Sequence, residues 1–150
     1  MSGVSKAIVQ PLLSWYDAGH RDLPWRSEPA PYRVWVSEIM LQQTRVEAVR
    51  GYFSRWMNAL PDIPALAAAD EAVYTKLWEG LGYYSRVRNL HRAAVLLCEE
   101  YGGELPADYD RLLALPGVGE YTAGAVASIA FGLPVPAVDG NVLRVAVRLD

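Results

Sequence analysis

The chain of 150 residues contains a single cysteine, Cys98, and only two lysines, Lys6 and Lys76. One cysteine excludes an internal disulfide and any metal site that several cysteines of this chain would build. Cys98 falls on the apolar side of a predicted helix, so we expect a buried thiol. No apolar run reaches the ~20 residues of a membrane span, because Arg, Asp or Glu interrupts each one. The N-terminal sequence lacks the layout of a signal peptide, and the cytoplasm is the expected compartment.

The apolar residues predict a chain made of helices without strands. They form 52% of the chain, and the mean hydropathy is +0.06, which suffices for the core of one domain. They recur at helical spacing, and no segment alternates like a β-strand. The fold class is therefore predicted to be all-α, a bundle of several helices. The principal helices are predicted at Val4–Ala18 (with a start or kink near Pro11), Tyr32–Val49, Gly51–Leu60, Arg88–Tyr101, Tyr109–Leu115 and Tyr121–Phe131, with an irregular Pro-rich segment at Leu23–Tyr32.

The charge of the chain is low, but its distribution is uneven. The net charge of −3 and the pI near 5.4 do not indicate a nucleic-acid-binding protein. Twelve of the fourteen cationic residues are arginines, and no acid lies within the cluster formed by Arg86, Arg88, His91 and Arg92. Acids gather instead between residues 99 and 110. This segregation permits a DNA-facing side and a solvent-facing side.

The segment 115–142 has the most distinctive pattern of the chain. Pro116 presets its own φ, and Gly117 and Gly119 leave their backbone N–H groups open to close approach. The next predicted helix begins with free amides, which suit a phosphate. The segment therefore predicts a helix–hairpin–helix unit. An αα-turn that merely needs glycines is the other interpretation of these residues.

Two carboxylates lie in contrasting surroundings. Glu38 lies among Val36, Ile39 and Met40, so it either faces solvent on a polar stripe or occupies a cleft. In a cleft, desolvation would raise its pKa and keep it protonated near neutral pH. Asp139 is followed by Gly-Asn, a polar turn in which it could also serve as the N-cap of the last helix. That helix has no C-terminal glycine or cap within the chain, so we expect it to continue past Asp150.

These motifs resemble a known family. The hairpin, the helix after it and Asp139, twenty residues beyond Gly119, resemble the helix-hairpin-helix plus Gly/Pro-Asp signature of the DNA glycosylase superfamily. Over nearly its whole length the chain is similar to the catalytic domain of adenine DNA glycosylases of the MutY type. The resemblance rests on four segments, VSEIMLQQT (36–44), GLGYYSR (80–86), LPGVGEYTAG (115–124) and VDGNV (138–142).

The resemblance implies a helix-hairpin-helix DNA glycosylase fold, truncated before the iron–sulfur region. It implies a monofunctional enzyme that removes adenine mispaired with 8-oxoguanine or guanine from double-stranded DNA. Glu38 then matches the general acid and Asp139 the carboxylate that stabilises the sugar cation. The other matches are Tyr121 and Asn141, which support Asp139; Trp25 and Arg26, which line the adenine pocket; and Gln43, Leu81, Tyr83, Arg86, Gly117, Val118 and Gly119, which bind or probe DNA.

The same resemblance implies a division of the chain and the state of the protein. Residues 1–24 would belong to a cluster-side subdomain, residues 25–139 to a six-helix subdomain with its hairpin unit at 109–131, and residues 140–150 to a returning helix. Full-length members hold a 4Fe–4S cluster through four cysteines that this chain lacks. Lyase-type relatives carry a catalytic lysine at the position of Tyr121, so strand cleavage through a Schiff base is not expected. A monomer without a membrane partner is expected.

Two other functions remain open. The first is a glycosylase of the same superfamily that removes another base, such as mispaired thymine. The second is a non-catalytic helix-hairpin-helix module that only binds DNA. The second leaves Glu38 and Asp139 without a joint role.

Overall fold

The computed structural model describes residues 3–149 and, within them, contains helices and no strand, which confirms the predicted all-α class. Met1, Ser2 and Asp150 lie outside the described residues, so the outer ends of the predicted segments 1–24 and 140–150 are not covered. The helices are α1 (Gly3–Gly19), α2 (Pro24–Ser27), α3 (Pro31–Leu41), α4 (Val46–Ala59), α5 (Ile63–Ala68), α6 (Glu71–Trp78), α7 (Ser85–Glu100), α8 (Tyr109–Leu113), α9 (Glu120–Ala125), which continues as a π-helical turn (Val126–Ala130), and α10 (Gly140–Leu149).

Helix α3 lies at the centre of the core. Its residues Trp35, Val36 and Met40 are at most 1% exposed, because apolar side chains surround the helix instead of forming one stripe. It packs against α2, α4, α7, α9 and the π turn. Pro31 begins the helix, where a missing N–H costs nothing. Helix α3 is thus held from several sides, and a polar residue on it can be held in place firmly.

The prediction of one long helix over Tyr32–Val49 is wrong. Helix α3 ends at Leu41, a turn covers residues 42–45, and α4 begins at Val46. No glycine or proline interrupts this stretch, so local propensity gave no reason for a break. Gln43 has a φ of 59°, and the side chain of Arg86 binds the carbonyls at the end of α3. A contact from a distant part of the chain therefore accompanies the break.

Smaller differences concern helix ends. Helix α1 runs through Pro11 and does not begin there. The segment predicted to be irregular contains the short helix α2, which starts with proline at its first position. Helix α7 starts at Ser85, three residues before the predicted start. Cys98 is only partly buried, beside Pro64 and Gly103.

The two terminal helices carry apolar side chains outside the core. In α1, Leu12 and Trp15 are 55% and 67% exposed, and in α10, Leu143 and Val147 are 58% and 76% exposed. Among the described residues, no helix combines the length and the apolar character needed to cross a membrane. The remaining helices enclose one core, and the site lies at its edge.

Candidate functional site

A cleft of about 860 Å³ opens at the edge of the core. Helices α2 and α3 form one wall, and α9, the π turn and the start of α10 form the other. Segments more than 100 residues apart in the chain therefore meet there. Six of the predicted site residues line this cleft, namely Trp25, Arg26, Glu38, Tyr121, Asp139 and Asn141.

Glu38 points from α3 into the cleft and is largely shielded from water. Burial raises its pKa above the ordinary value, and the hydrogen bond with Tyr121 and the charge of Arg26 only partly oppose this effect. The nearby carboxylate of Asp139 raises the pKa further. Of the two interpretations left open by the sequence, the cleft position is the one found. Such a carboxyl keeps its proton to a higher pH than an exposed glutamate does.

Tyr121, at the start of α9, lines the cleft together with the two carboxyls. Its ring is 37% exposed, and burial of the hydroxyl, together with the charges of Glu38 and Asp139, raises its pKa to about 12. It therefore stays protonated and can donate a hydrogen bond to Glu38. The Tyr121 hydroxyl thus interacts with Glu38 inside the cleft.

Asp139 caps helix α10. Its Oδ1 accepts a hydrogen bond from the Val142 backbone N–H at 2.8 Å, and its Oδ2 accepts one from Asn141 Nδ2 at 3.4 Å. Asn141 is itself bound through its Oδ1 by Arg144 at 2.6 Å. The bonds to Asp139 satisfy an N–H group at the start of the helix and fix the direction of its carboxylate. Asp139 is therefore both the N-cap and a residue of the cleft, and the first role fixes the geometry of the second.

Gly124 brings the loop that carries Asp139 against α9. A Cβ at this position would overlap the carbonyl oxygen of Pro136 and approach the Cα of Ala137 to 3.2 Å. Just after Gly124 the helix widens into the π turn, and Ser128 Oγ donates to the Gly124 carbonyl at 2.7 Å. π turns of this kind are frequent at functional sites. The absence of a side chain at Gly124 thus sets how close the loop can come.

Trp25 and Arg26 line the cleft from helix α2. Trp25 is 6% exposed and meets Phe53 edge to face, with ring centroids 5.3 Å apart. It is a core anchor that also lines the cleft. The Arg26 guanidinium lies 5.6 Å from the ring centre of Tyr16 and exerts a charge effect on Glu38.

The hairpin between α8 and α9 lies exposed near this cleft. Gly117 has a φ of +76°, and a Cβ there would come within 2.8 Å of Asn89 Cβ. Gly119, by contrast, has a φ of −95° and open space around it. Gly119 is also the N-cap of α9 and makes no side-chain cap. Val118 is partly buried and packs on the core, so Val118 anchors the hairpin.

The remaining predicted DNA-binding residues do not line the cleft and lie on the turn after α3, on the turn before α7 and in the first turn of α7. Gln43 is exposed, and Tyr83 is 67% exposed. Leu81 is only 7% exposed and packs in the core, so in this structure it supports its turn. The side chain of Arg86 binds backbone carbonyls. Their contact with DNA stays a prediction.

Sequence reasoning missed several residues that line the cleft, among them Tyr16, Arg21, Arg45 and Ile129. Tyr16 and Arg21 come from the end of α1 and the segment after it, where nothing in the local pattern pointed to a site. Ile129 lies in the π turn and is 54% exposed. Its exposure among buried and partly buried neighbours marks it as a cleft residue. This exposure is visible only in the structure, so the sequence contained no signal for it.

The residues present do not fit a 4Fe–4S cluster. Such a cluster needs four thiolates, and the chain has only Cys98. Cys98 lies on α7, near Gly103, and does not line the cleft. Within residues 3–149 no group of three or more His, Cys, Asp or Glu side chains is placed to hold a metal ion.

A helix–hairpin–helix unit beside a cleft lined by two carboxyls defines the helix-hairpin-helix class of DNA repair proteins. The model of the HhH-GPD superfamily of base excision DNA repair proteins matches residues 36–150, and the chain belongs to this family.

Curated relatives are named adenine DNA glycosylase. The protein from Mus musculus is 52% identical over 92% of the chain and 28% of its own length. The protein from Mycolicibacterium smegmatis is 48% identical over 91% of the chain and 47% of its own length. The chain thus spans between about a quarter and a half of these relatives.

Two solved structures share the fold. A thermostable thymine-DNA glycosylase aligns with a TM-score of 0.88 and 29% identity, over 95% of the chain and 66% of its own. A trapped covalent complex of endonuclease III with DNA aligns with a TM-score of 0.82 and 27% identity, over 97% of the chain and 68% of its own. The helix-hairpin-helix fold predicted from the sequence is confirmed.

We expect Glu38→Gln to stabilise the fold increasingly as the pH rises. Because burial raises the pKa of Glu38, the unfolded chain ionises this group at lower pH than the folded chain does. The contribution of Glu38 is fully present below the ordinary pKa of 4.5 and is lost as the pH rises through the folded value. The stability difference between variant and parent should grow by up to about 1.4 kcal/mol per pH unit across that window.

Urea unfolding over a pH series measures this difference. Glu99→Gln is the control, because Glu99 is exposed on α7, and its difference should be small and nearly flat. A Glu38→Gln difference that stays constant or falls with pH contradicts the desolvated position.

We expect Gly124→Ala to destabilise the fold by about 1–3 kcal/mol, because the added methyl group must push the backbone at Pro136 away. Gly51→Ala is the matched control in helix α4, where a Cβ meets only the flexible end of Arg55, and it should be neutral or stabilising. Thermal unfolding of both variants measures the effect. Equal stability of Gly124→Ala and the parent would mean that the loop does not lie against α9.

Proposed function

We propose that the chain carries the catalytic site of a monofunctional DNA glycosylase that removes adenine mispaired with 8-oxoguanine or guanine. The observation that carries the proposal is the cleft in which a desolvated Glu38 and a hydrogen-bonded Asp139 lie close enough for the charge of Asp139 to raise the pKa of Glu38. The names of the curated relatives support adenine as the base.

Removal of a base needs two groups in opposite protonation states. A stacked base cannot be reached, so the nucleotide must leave the duplex and enter a pocket. Neutral adenine is a poor leaving group, and a carboxylic acid that donates a proton to a ring nitrogen assists its departure. Glu38 suits this role, because burial keeps the proton on its carboxyl.

The second group acts on the sugar. Departure of the base leaves an oxocarbenium-like sugar, which a nearby carboxylate stabilises or captures. Asp139 suits this role, since the Val142 N–H and the Asn141 amide favour its anionic form. Tyr121 lines the same cleft, interacts with Glu38 and is affected by the charge of Asp139. Trp25 and Arg26 provide an aromatic and a cationic wall for the extruded base.

The absence of an amine from the cleft determines the product of the reaction. A Schiff base with the opened sugar requires an uncharged amine at the site. By the resemblance described above, Tyr121 takes the position of the lysine of lyase-type relatives, and neither Lys6 nor Lys76 lines the cleft. The product is therefore an abasic site in an intact strand, which a later enzyme must cleave.

Binding to DNA would use the hairpin and the two exposed turns. The backbone amides around Gly119 can meet a phosphate, and Gln43 and Tyr83 can probe the duplex. DNA bound to the endonuclease III neighbour supports this use of the fold. A monomeric state and a cytoplasmic location stay predictions.

The thymine-DNA glycosylase neighbour favours one alternative, removal of mispaired thymine by the same two carboxyls. A non-catalytic DNA-binding module is the second alternative. That function would not explain why the desolvated carboxyl of Glu38 lines the cleft beside Asp139.

Single-turnover base release tests the proposal. Duplexes with A:8-oxoguanine, A:G, T:G and A:T pairs are compared, using this chain and a form as long as the curated relatives. We expect adenine release from the first two, with strand cleavage only after alkali. Glu38→Gln and Asp139→Asn should each slow release on the order of a thousandfold or more, with little change in binding.

Each of the other outcomes names an alternative. Release of thymine but not adenine would show that the enzyme acts on mispaired thymine. Tight DNA binding without release of any base by the longer form would show that the protein is a non-catalytic DNA-binding module. Near-parental release by Glu38→Gln would remove the acid role. Loss of binding in either variant would make that residue a contact instead.

Gly119→Ala tests the phosphate role of the hairpin. The added methyl group meets no atom of the protein within 4 Å, and the φ suits alanine, so only an external group is obstructed. We expect weaker binding to every duplex by a similar factor, because phosphate contacts carry no sequence information. Gly117→Ala is unsuitable, since its positive φ and Asn89 would distort the hairpin. A loss confined to one mispair would contradict the phosphate role.

A further inference from the structure

The side chain of Arg86 joins two turns that are distant in the chain. Arg86 lies in the first turn of α7, and its guanidinium reaches backbone carbonyls on both sides. Nη1 donates to the carbonyls at the end of α3, and Nη2 donates to those of the turn before α7. The acceptors are Ile39 (2.8 Å), Met40 (3.3 Å), Gln42 (2.5 Å), Leu81 (3.2 Å) and Gly82 (3.3 Å).

Two aromatic rings enclose the same guanidinium. Its central carbon lies 5.2 Å from the ring centre of Trp78 and 5.8 Å from that of Tyr83. Trp78 is fully buried, and its Nε1 donates to the carbonyl of Gly82 at 3.1 Å. The flat, forked guanidinium fits between rings and reaches several carbonyls, which the ammonium of a lysine cannot do.

Each of the two turns contains a residue in an unfavourable backbone conformation. Gln43 has a φ of 59° and Tyr83 a φ of 48°, and within residues 3–149 no other residue besides glycine has a positive φ. Such conformations persist only where the surroundings enforce them. Each strained residue directly follows one whose carbonyl Arg86 binds, Gln42 and Gly82 respectively. The strained residues are also exposed.

We propose that Arg86 is a positioning residue that holds the Gln43 turn and the Tyr83 turn together as one DNA-probing surface. Its guanidinium is engaged by five carbonyls, so its charge serves the turns and not a phosphate. The inference rests on the proposed function, because Gln43 and Tyr83 need a duplex to probe.

Hydrogen exchange without DNA tests the positioning role directly. Arg86→Lys keeps the charge and removes the fork, so the amides of residues 39–44 and of residues 80–84 should both exchange faster, by about tenfold. Arg88→Lys is the matched control, since Arg88 is exposed one half-turn further along α7, and it should leave both segments unchanged. Unchanged protection in Arg86→Lys, or loosening of one turn alone, overturns the proposal.

A second variant covers the case in which Arg86→Lys does not fold. Tyr83→Asn removes the exposed ring that encloses the guanidinium, and asparagine tolerates the positive φ. Because the fold does not depend on this ring, the variant should fold and still speed exchange at residues 39–44, about forty residues away. Exchange at the parental rate there overturns the link between the turns.

DNA binding separates positioning from a phosphate contact. Arg86→Gln should reduce the preference for the A:8-oxoguanine duplex over the A:T duplex by about tenfold, with an unchanged slope of log affinity against log salt. A slope smaller by about one with an unchanged preference would mean that Arg86 binds a phosphate. If the parent itself shows no mispair preference while the exchange results hold, the proposed function fails and the positioning role stands.

Discussion

The burial of Glu38 on a helix that is enclosed on nearly every side is the constraint on which the site depends. An isolated glutamate avoids such a place, because removing a charge from water costs free energy. Burial therefore raises the pKa of Glu38, so that its carboxyl keeps its proton to a higher pH than an exposed glutamate does. Helix α3 cannot turn Glu38 towards solvent without exposing Trp35 and Met40. Packing therefore fixes the position of the carboxyl, and the position sets its protonation state.

The second wall of the cleft is built by different means. Asp139 is held by hydrogen bonds at the start of α10 and by the close contact of its loop with Gly124. One carboxyl is thus controlled by apolar packing and the other by polar partners. The two carboxyls therefore occupy different environments although they share one cleft.

Much of this organisation could be predicted from the sequence, because helical periodicity and the hairpin glycines are local signals. The six residues that resemblance placed in the site do line one cleft. The break after Leu41 could not be predicted, because it coincides with the reach of Arg86 from another helix. For the same reason the sequence could not reveal that Leu81 is buried or that Tyr16 lines the cleft. Local patterns predict elements, but long-range contacts decide where elements end and which residues face a cavity.

The segment between the π turn and Asp139 determines at which stage the Asp139 carboxylate becomes ordered. Pro134 and Pro136 fix two backbone angles in the segment 132–138, which contains no helix. Proline reduces the freedom that the unfolded chain would otherwise lose, and Gly124 lets the segment lie flat on α9. The carboxylate of Asp139 at its end is therefore held in place by the folded protein itself. The conformational entropy of arranging this carboxylate is lost during folding, so it would not be subtracted from the free energy of binding a ligand.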